Sequence, residues 1–539
     1  MDTAILAIII LCVIYVPIWV WVWRNPEKAE RYHLVKYGPA LMIKTHLGIK
    51  TMDRLGKHRL FWRVFGFLSR LISAGLFFMM MYMLIVALLA LPSRIGSGGI
   101  GIQYALAIPG LNPMLPLTYG ILALFIAMVV HEMGHGIQSR ANDCNVDSTG
   151  LLYGVVPLGA FCEPNEEELP KLSRRAQMDV YSAGISVNTF VAVISIVLML
   201  FICSGITPAV YGEGETDEVP GVYSLDDLSP AYLAGIPTSA LIVGIKEVDE
   251  DSYHAVSADV NGSLVAIQSD LELSPLKFYN LRYLTEDGNY HESEGIQMGA
   301  LIKTVTNNSP ASQAELLPLC YLYSIEITRD GSLLDTYMIS SAMDFKELML
   351  TTLPGDVAVV TTATIADGGV IETFEHEATT LTASGSVGYL GLAVTDSGMS
   401  LTTPEIRMSF ATNPFQGCTT PFSYVQAFFS YLSGPLNGLD PIPNAITWWY
   451  DAPAGDTTWV IVKILYWIFW LDILLAISNA LPAYPFDGGF LFEGAINWLL
   501  ELLGIKDEER RRKLSDSISG SVSNVVLVMF GLVLLAFII

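Results

Sequence analysis

Six stretches of about 20 apolar residues, near 4–23, 71–91, 114–137, 181–203, 458–481 and 520–539, constrain this chain more than any other feature. Each is long enough to cross roughly 30 Å of hydrocarbon, so the expected fold class is a polytopic α-helical membrane protein with about six transmembrane helices. Of the 539 residues 52% are hydrophobic and only 15% charged, which excludes an ordinary soluble domain. The first stretch runs to Trp23 with Pro17 inside it and lacks a small-residue cleavage pattern, so it reads as a retained anchor and not a signal peptide.

Charge orients the spans. Residues 24–70 carry eleven Lys and Arg, from Arg24 to Arg70, against few acids, which places that loop in the cytoplasm. By alternation the loops 138–180 and the one holding Arg510, Arg511, Arg512 and Lys513 are also inside, and residues 206–456 are extracytoplasmic. That segment holds 33 Asp and Glu against 7 Lys and Arg, and accounts for the whole formal charge of -24. So acidic a surface argues against nucleic acid as a partner. The six cysteines include no CxxC pair; Cys320 and Cys418 both lie outside, but Cys320 in LPLCYLY reads as core.

The soluble segment is an insertion between two membrane blocks. Short β-branched runs broken by Gly, Asn, Asp and Pro give it an α+β texture. A phrase recurs within it: LDDLSPAYLAGIPTSALIVGI at 225–245 and IKTVTNNSPASQAELLPLCYLYSI at 302–325. Each copy reads as a strand, Ser-Pro-Ala opening a short helix, and another strand. Both copies resemble PDZ domains, the second followed by a helix and a Pro354-Gly355-Asp356 turn, though neither shows a clear carboxylate-binding loop. The expected organisation is a membrane domain over 1–205, a linker at 206–218, a degenerate PDZ-like module at 219–297 and a fuller one at 298–394. An extracytoplasmic connector at 395–456 and a second membrane domain at 457–539 complete it.

The third span ends in MVVHEMGHG. His131 and His135 are four apart, so on a helix they share a face and can bind one metal ion, with Glu132 beside them to work on a water. Zn²⁺ lowers the pKa of bound water towards 7, and a carboxylate can take that proton and pass it to a leaving amine. Ionisable groups cost about 2.5–3.5 kcal/mol each at a span's centre, so a Glu between two His there reads as functional. A third ligand is required, because a catalytic zinc keeps three protein ligands and an open position. The fifth span ends in ISNALPAYPFDGGF, where Pro482 and Pro485 stop the helix and Asp487 follows at the same expected depth.

HEMGH with NALPAYPFDGG in a separate span resembles the site-2 protease family, the intramembrane zinc metalloproteases, and the expected source is a prokaryotic, archaeal-type membrane. GAFCEPNEEEL at 159–169 and SAGISVN at 182–188 are similar to two further stretches of that family. The resemblance implies zinc as cofactor, held by His131, His135 and Asp487, with Glu132 as general base and acid. It implies substrate-binding roles for Asn188, as a donor to the substrate carbonyl, and for Asn479 and Pro482, which position unwound substrate. The implied partners are transmembrane protein substrates and the lipid bilayer. The implied setting is a multi-pass protein of the cell membrane, its active site towards the cytoplasm, engaged in regulated intramembrane proteolysis. The chain departs from the family at Ile185, Ser186 and Phe486, none of which removes a polar group.

Two other readings stand beside this one. A different membrane HExxH protease would take a downstream helical Glu, such as Glu493, as third ligand; an inactive relative would use its PDZ-like modules as a scaffold. Asp472 shares a helix face with Asn479 and is expected in a structural hydrogen bond, and Glu163 is expected in a solvated loop.

Overall fold

The computed structural model describes residues 3–91, 109, 112, 115–154, 157–211, 214–215, 219–258, 264–266, 273–366, 369–434 and 442–535. The chain divides into two units: a membrane unit of Met1–Ile202, Leu432–Leu439 and Thr457–Ile539, and an insertion of Cys203–Tyr431 and Asp440–Asp456. Of the expected linker 206–218, residues 212–213 and 216–218 lie outside the described residues.

The membrane unit opens with α1 (Thr3–Arg24), a short amphipathic α2 (Ile49–Gly56) and α3 (Arg59–Leu89). It continues with α4 (Leu117–Ala141), α5 (Arg174–Cys203), α6 (Asp456–Asn479), α7 (Asp487–Leu502) and α8 (Glu508–Leu535). Five of these, α3, α4, α5, α6 and α8, are long and apolar enough to cross a membrane. Helix α1 is a further apolar helix, shorter over Cys12–Arg24. Four of the five turn apolar side chains outward, Phe78 on α3 and Phe201 on α5 among them, as lipid-facing surfaces do. Helix α6 is different: 67% of its apolar window is buried, against at most 33% in the others, so it is the enclosed helix of the unit.

A four-stranded antiparallel sheet sits among these helices: β1 (Leu34–Tyr37), β2 (Ala40–Thr45), β3 (Val146–Tyr153) and β4 (Pro157–Pro164), in that order. Two hairpins from loops a hundred residues apart join through β2 and β3, in register from Leu41 opposite Tyr153 to Thr45 opposite Thr149. Gly150 is required at this seam, since a Cβ there would overlap the Ile43 carbonyl and lie 2.7 Å from the Phe161 ring. Glu163, expected in a solvated loop, instead ties three strands together: it accepts from Lys44 Nζ at 2.8 Å and from the Ser148 hydroxyl. The α1 helix docks on the β1–β2 turn, Tyr15 Oη donating to the Pro39 carbonyl at 2.6 Å.

The insertion's two largest hydrophobic cores among the described residues share one continuous sheet. The sequence repeat recurs in space. Ser229 and Ser309 each cap a four-residue helix, Pro230–Leu233 and Pro310–Gln313, by accepting from the backbone N–H three residues on. Each cap is crossed by a glycine with positive φ: Gly398 over Ser229 and Gly391 over Ser309, so close that any Cβ would overlap the serine. The first core is closed by a strand from beyond the second. Met399–Thr402 pairs with Gly221–Leu225, and Met399 is buried among Val222, Ile242 and Tyr279. The second core thus lies nested inside the first, and the expected connector at 395–456 lends it a strand. All six cysteines are free, Cys320 packed against the second core.

Gly391→Ala should therefore destabilise the insertion by about 2–3 kcal/mol, through backbone strain at φ +94° and the collision with Ser309. Gly331→Ala, with φ +78° but open space around it, should cost about 1 kcal/mol; thermal unfolding of the two variants checks the difference. A second expectation concerns acid. Arg329 forks onto both oxygens of buried Asp356 at 2.8 Å, and Leu353 N–H adds a third bond, which together hold this carboxyl below its usual range against the opposing effect of burial. A lowered folded pKa means stability present above the unfolded value, about 3.9, and lost as pH falls below it. Melting temperature should drop below about pH 4, and Asp356→Asn should be less stable at neutral pH and flatter with acid.

Candidate metal centre

The centre is assembled from the inner end of α4, the middle of α5 and the first turn of α7. On α4, His131 and His135 stand one turn apart, both buried, with ring centroids 4.8 Å apart. His135 Nδ1 donates to the Val180 carbonyl of α5 at 2.8 Å. That bond fixes the tautomer with the proton on Nδ1 and leaves the Nε2 lone pair available to a metal. His131 Nδ1 is buried without a hydrogen-bond partner among the described residues.

Asp487 is the first residue of α7, a position where helical N–H groups favour a carboxylate. The two glycines after it set its place. A Cβ on Gly488 would run into the Ala480 carbonyl, and one on Gly489 would lie 3.0 Å from the Ala483 carbonyl. Only glycine lets the first turn of α7 lie backbone against backbone on the turn that ends α6. That turn is held in turn by packing of Leu481 and Ala483 against Leu84 of α3 and Val526 of α8.

Asp487 Oδ2 lies 3.2 Å from His131 Nε2 and 3.2 Å from His135 Nε2, and the two Nε2 atoms are 3.2 Å apart. Three donor atoms form an equilateral triangle. A tetrahedral zinc with ligands at about 2.0–2.1 Å has an edge of about 3.3 Å between them, so the residues present fit the ion. Asp487 Oδ2 is buried and makes no hydrogen bond among the described residues, which away from water is stable only against a cation. No other group of three His, Cys, Asp or Glu side chains among the described residues meets in this way.

Glycine forms the floor. A Cβ on Gly184 of α5 would lie 2.7 Å from His131 Cε1 and 2.8 Å from its Nε2, and would overlap His135 Nε2. Gly134 brings α4 equally close to α5, 3.0 Å from the Ala183 carbonyl by the same measure. Glu132 points to the sheet: its Oε2 accepts the backbone N–H of Cys162, in β4, at 2.8 Å. Among the described residues strand β4 pairs with β3 alone, so its other edge is the one that meets Glu132.

The remaining expected residues are spread along the same elements. Asn188, one turn beyond Gly184, is wholly buried, and neither its oxygen nor its nitrogen has a partner among the described residues. Asn479 ends α6 and donates to the Leu475 carbonyl at 3.0 Å, and Pro482 is buried in the turn that leads to Asp487. Glu493 stands apart from the three donors and accepts from Tyr484 Oη at 2.7 Å, which takes it out of the ligand set. The structural bond expected for Asp472 is absent: the residue is wholly buried and both its oxygens lack partners among the described residues. Three contributors were not expected: Gly184, the Val180 carbonyl and the Cys162 N–H. Only Gly184 left a trace in sequence, as the small residue of SAGISVN.

Residues 119–515, well over half of the chain, match the sequence profile of Peptidase family M50. An uncharacterized protein of Methanocaldococcus jannaschii is 30% identical over 204 residues, 37% of this chain and 52% of that protein. The chain thus matches about half the length of that relative. Peptidase family M50, the site-2 protease family, consists of zinc metallopeptidases, so Zn²⁺ is the expected cofactor. A buried triangle of two imidazoles and a carboxylate on apolar helices is the centre such an enzyme needs, and the chain belongs to Peptidase family M50.

Proposed function

We propose that this chain hydrolyses a peptide bond within or near a transmembrane segment of another membrane protein. His131, His135 and Asp487 hold the zinc, and Glu132 acts as base and then acid. The observation that carries this reading is the 3.2 Å triangle of donors on helices able to cross a membrane. Bound zinc supplies Lewis-acid polarisation and an acidified water. Glu132, anchored at Oε2 by Cys162 N–H, keeps its second oxygen for the proton it takes from the attacking water and returns to the leaving amine. Asn188 offers an amide with no partner among the described residues to the substrate carbonyl as charge develops on it.

A helical substrate hides its amides, so it must be presented unwound. The free edge of β4 suits that task, since an extended chain added there gains backbone hydrogen bonds beside Glu132. The Pro482 turn after Asn479 gives substrate a non-helical neighbour at the same depth, enclosed by protein as such backbone must be. In this reading α1 is the sixth span, the metal lies towards the cytoplasm and the insertion is extracytoplasmic. Its two cores are PDZ-like modules that admit substrates already trimmed outside, which makes the reaction a step of regulated intramembrane proteolysis. Support for PDZ-like behaviour comes from a cavity of about 470 Å³ between the helix Ala342–Thr351 and residues Val387–Leu392, including Tyr389 and Leu390.

Glu132→Gln should lower the turnover of a model transmembrane substrate by about 10²–10⁴-fold while metal content by mass spectrometry stays at one zinc per chain. Loss of zinc together with activity would assign Glu132 to the ligand set instead. Gly184→Ala should do the reverse, weakening zinc retention against a chelator by at least about tenfold, the range seen when groups that orient metal ligands are disturbed. Zinc affinity unchanged in that variant would show that the histidines do not depend on the glycine floor.

A further inference from the structure

Residues 46–71 hold six Lys and Arg against one acid, Asp53. The structure sorts these charges by the direction they face. Asp53 pairs with Arg140 of α4, Arg59 with Asp143 just after α4, and Arg70 with Asp179 of α5 at 2.8 Å. The other four, Lys50, Arg54, Lys57 and Arg63, are exposed and form no ion pair among the described residues. Helix α2 explains the sorting. Its buried side is Met52 and Gly56, and it lies against α4: any Cβ on Gly136 would overlap Met52 Sδ, and one on Gly56 would lie 2.9 Å from Arg140 Cβ. At about 100° per residue, Lys50, Arg54 and Lys57 fall about 160°, 200° and 140° round the helix from Met52. These three cations share a narrow stripe opposite the packed face. Because Met52 also packs with Ile137 and Val146, the helix cannot roll and the stripe keeps its direction.

The level of the stripe follows from the helix after it. Helix α3, long and apolar enough to cross a membrane, starts at Arg59, just past Lys57. Its outward apolar column begins at once: Leu60, Phe61, Val64, Phe67 and Leu71 are all exposed, Leu60 at 77%. The stripe therefore lies where a hydrocarbon-facing surface ends, which is the level of lipid headgroups. Leu47, just before α2, is 84% exposed and adds an apolar side chain able to enter the hydrocarbon.

We propose that the outer stripe of α2, together with Arg63, binds the phosphate groups of anionic phospholipids in the leaflet that α3 enters. Each exposed Lys or Arg at this level gains from a negatively charged lipid surface, and the Arg54 guanidinium can fork onto two oxygens of one phosphate. A zwitterionic lipid carries the same phosphate, but its own ammonium cancels the charge, so selection is by net charge. Cations that only keep a loop in solution need no alignment; these are aligned, unpaired with protein acids and set at the boundary. Lipid bound there bears on one face of α2 while the other face bears on α4, the helix that carries His131 and His135. This inference rests on α3 crossing the membrane and not on peptidase chemistry, so zinc content and turnover do not bear on it.

The test titrates the full chain, in micelles of a non-ionic detergent, with phosphatidylglycerol or phosphatidylcholine and counts bound lipid by native mass spectrometry. Phosphatidylglycerol should bind the unaltered chain at least about tenfold more tightly than phosphatidylcholine, as several cations acting together imply. Lys50→Gln, Arg54→Gln and Lys57→Gln combined should abolish that preference. A charge-matched set in the same basic region, Arg24→Gln, Lys28→Gln and Arg31→Gln, should retain it. All six side chains are exposed, so neither set removes a buried group, and unchanged circular dichroism checks the fold. Equal loss in the two sets would show diffuse attraction to the whole basic region and overturn the site. A preference absent from the unaltered chain, or one that survives the α2 set, would overturn it too. Displacement of phosphatidylglycerol by an equal concentration of inorganic phosphate would overturn lipid as the occupant.

Discussion

Three lone-pair donors held 3.2 Å apart in the interior of the membrane unit is the constraint on which the rest of that unit depends. Without a cation, two imidazole nitrogens and a carboxylate oxygen converging on one point repel one another, and burial deprives them of water's compensation. The surrounding elements must therefore hold the donors in place. The Val180 carbonyl prevents the His135 ring from turning, Gly184 blocks retreat towards α5, and Gly488 and Gly489 lock α7 against the end of α6. With the ion in place the same rigidity becomes preorganisation, because no ligand has to move before the chemistry begins.

A membrane imposes a second demand, on backbone. Any N–H or C=O that leaves helical geometry at that depth must find a partner inside the protein. The four-stranded sheet meets this demand and turns it to use. Joining β2 to β3 satisfies the inner strands, and the unpaired edge of β4 offers its Cys162 N–H to Glu132. The Glu132 carboxylate and the edge of β4, on which the proposed function would pair an extended substrate, are thus neighbours for one reason: both need hydrogen bonds that hydrocarbon does not supply.

How much of this was legible in sequence depends on the range over which each feature is encoded. His131 and His135 follow from i,i+4 spacing on one helix, and the serine caps at 229 and 309 from a local phrase that repeats. Asp487 lies some 350 residues from the histidines, and only its resemblance to a known motif joined it to them. The joining of β2 with β3, the nested strand Met399–Thr402 and the Val180 bond left no local signature, because each is a pairing of distant segments whose residues look ordinary alone. Asp472 shows the converse. Its place on a helix face was readable, but its lack of any partner among the described residues was not, since an unmade bond has no sequence pattern.

The nesting also explains how a long insertion can separate the helices that supply the metal ligands. Helices α5 and α6 must pack closely, as Ile185 does on Ala476 and Ala480, although the insertion lies between them in the chain. A loop of that length would ordinarily oppose such packing through the entropy of bringing its ends together. Here the insertion's own ends are paired. Gly221–Leu225 lies beside Met399–Thr402, and nearer the membrane unit in the chain Thr207–Pro208 pairs with Tyr450–Asp451. Pairing within the insertion therefore closes the loop by itself and brings its two exits side by side. On this argument the stability of the outer strands and the geometry of the metal centre are coupled through loop closure, with no residue of the insertion needing to touch the site.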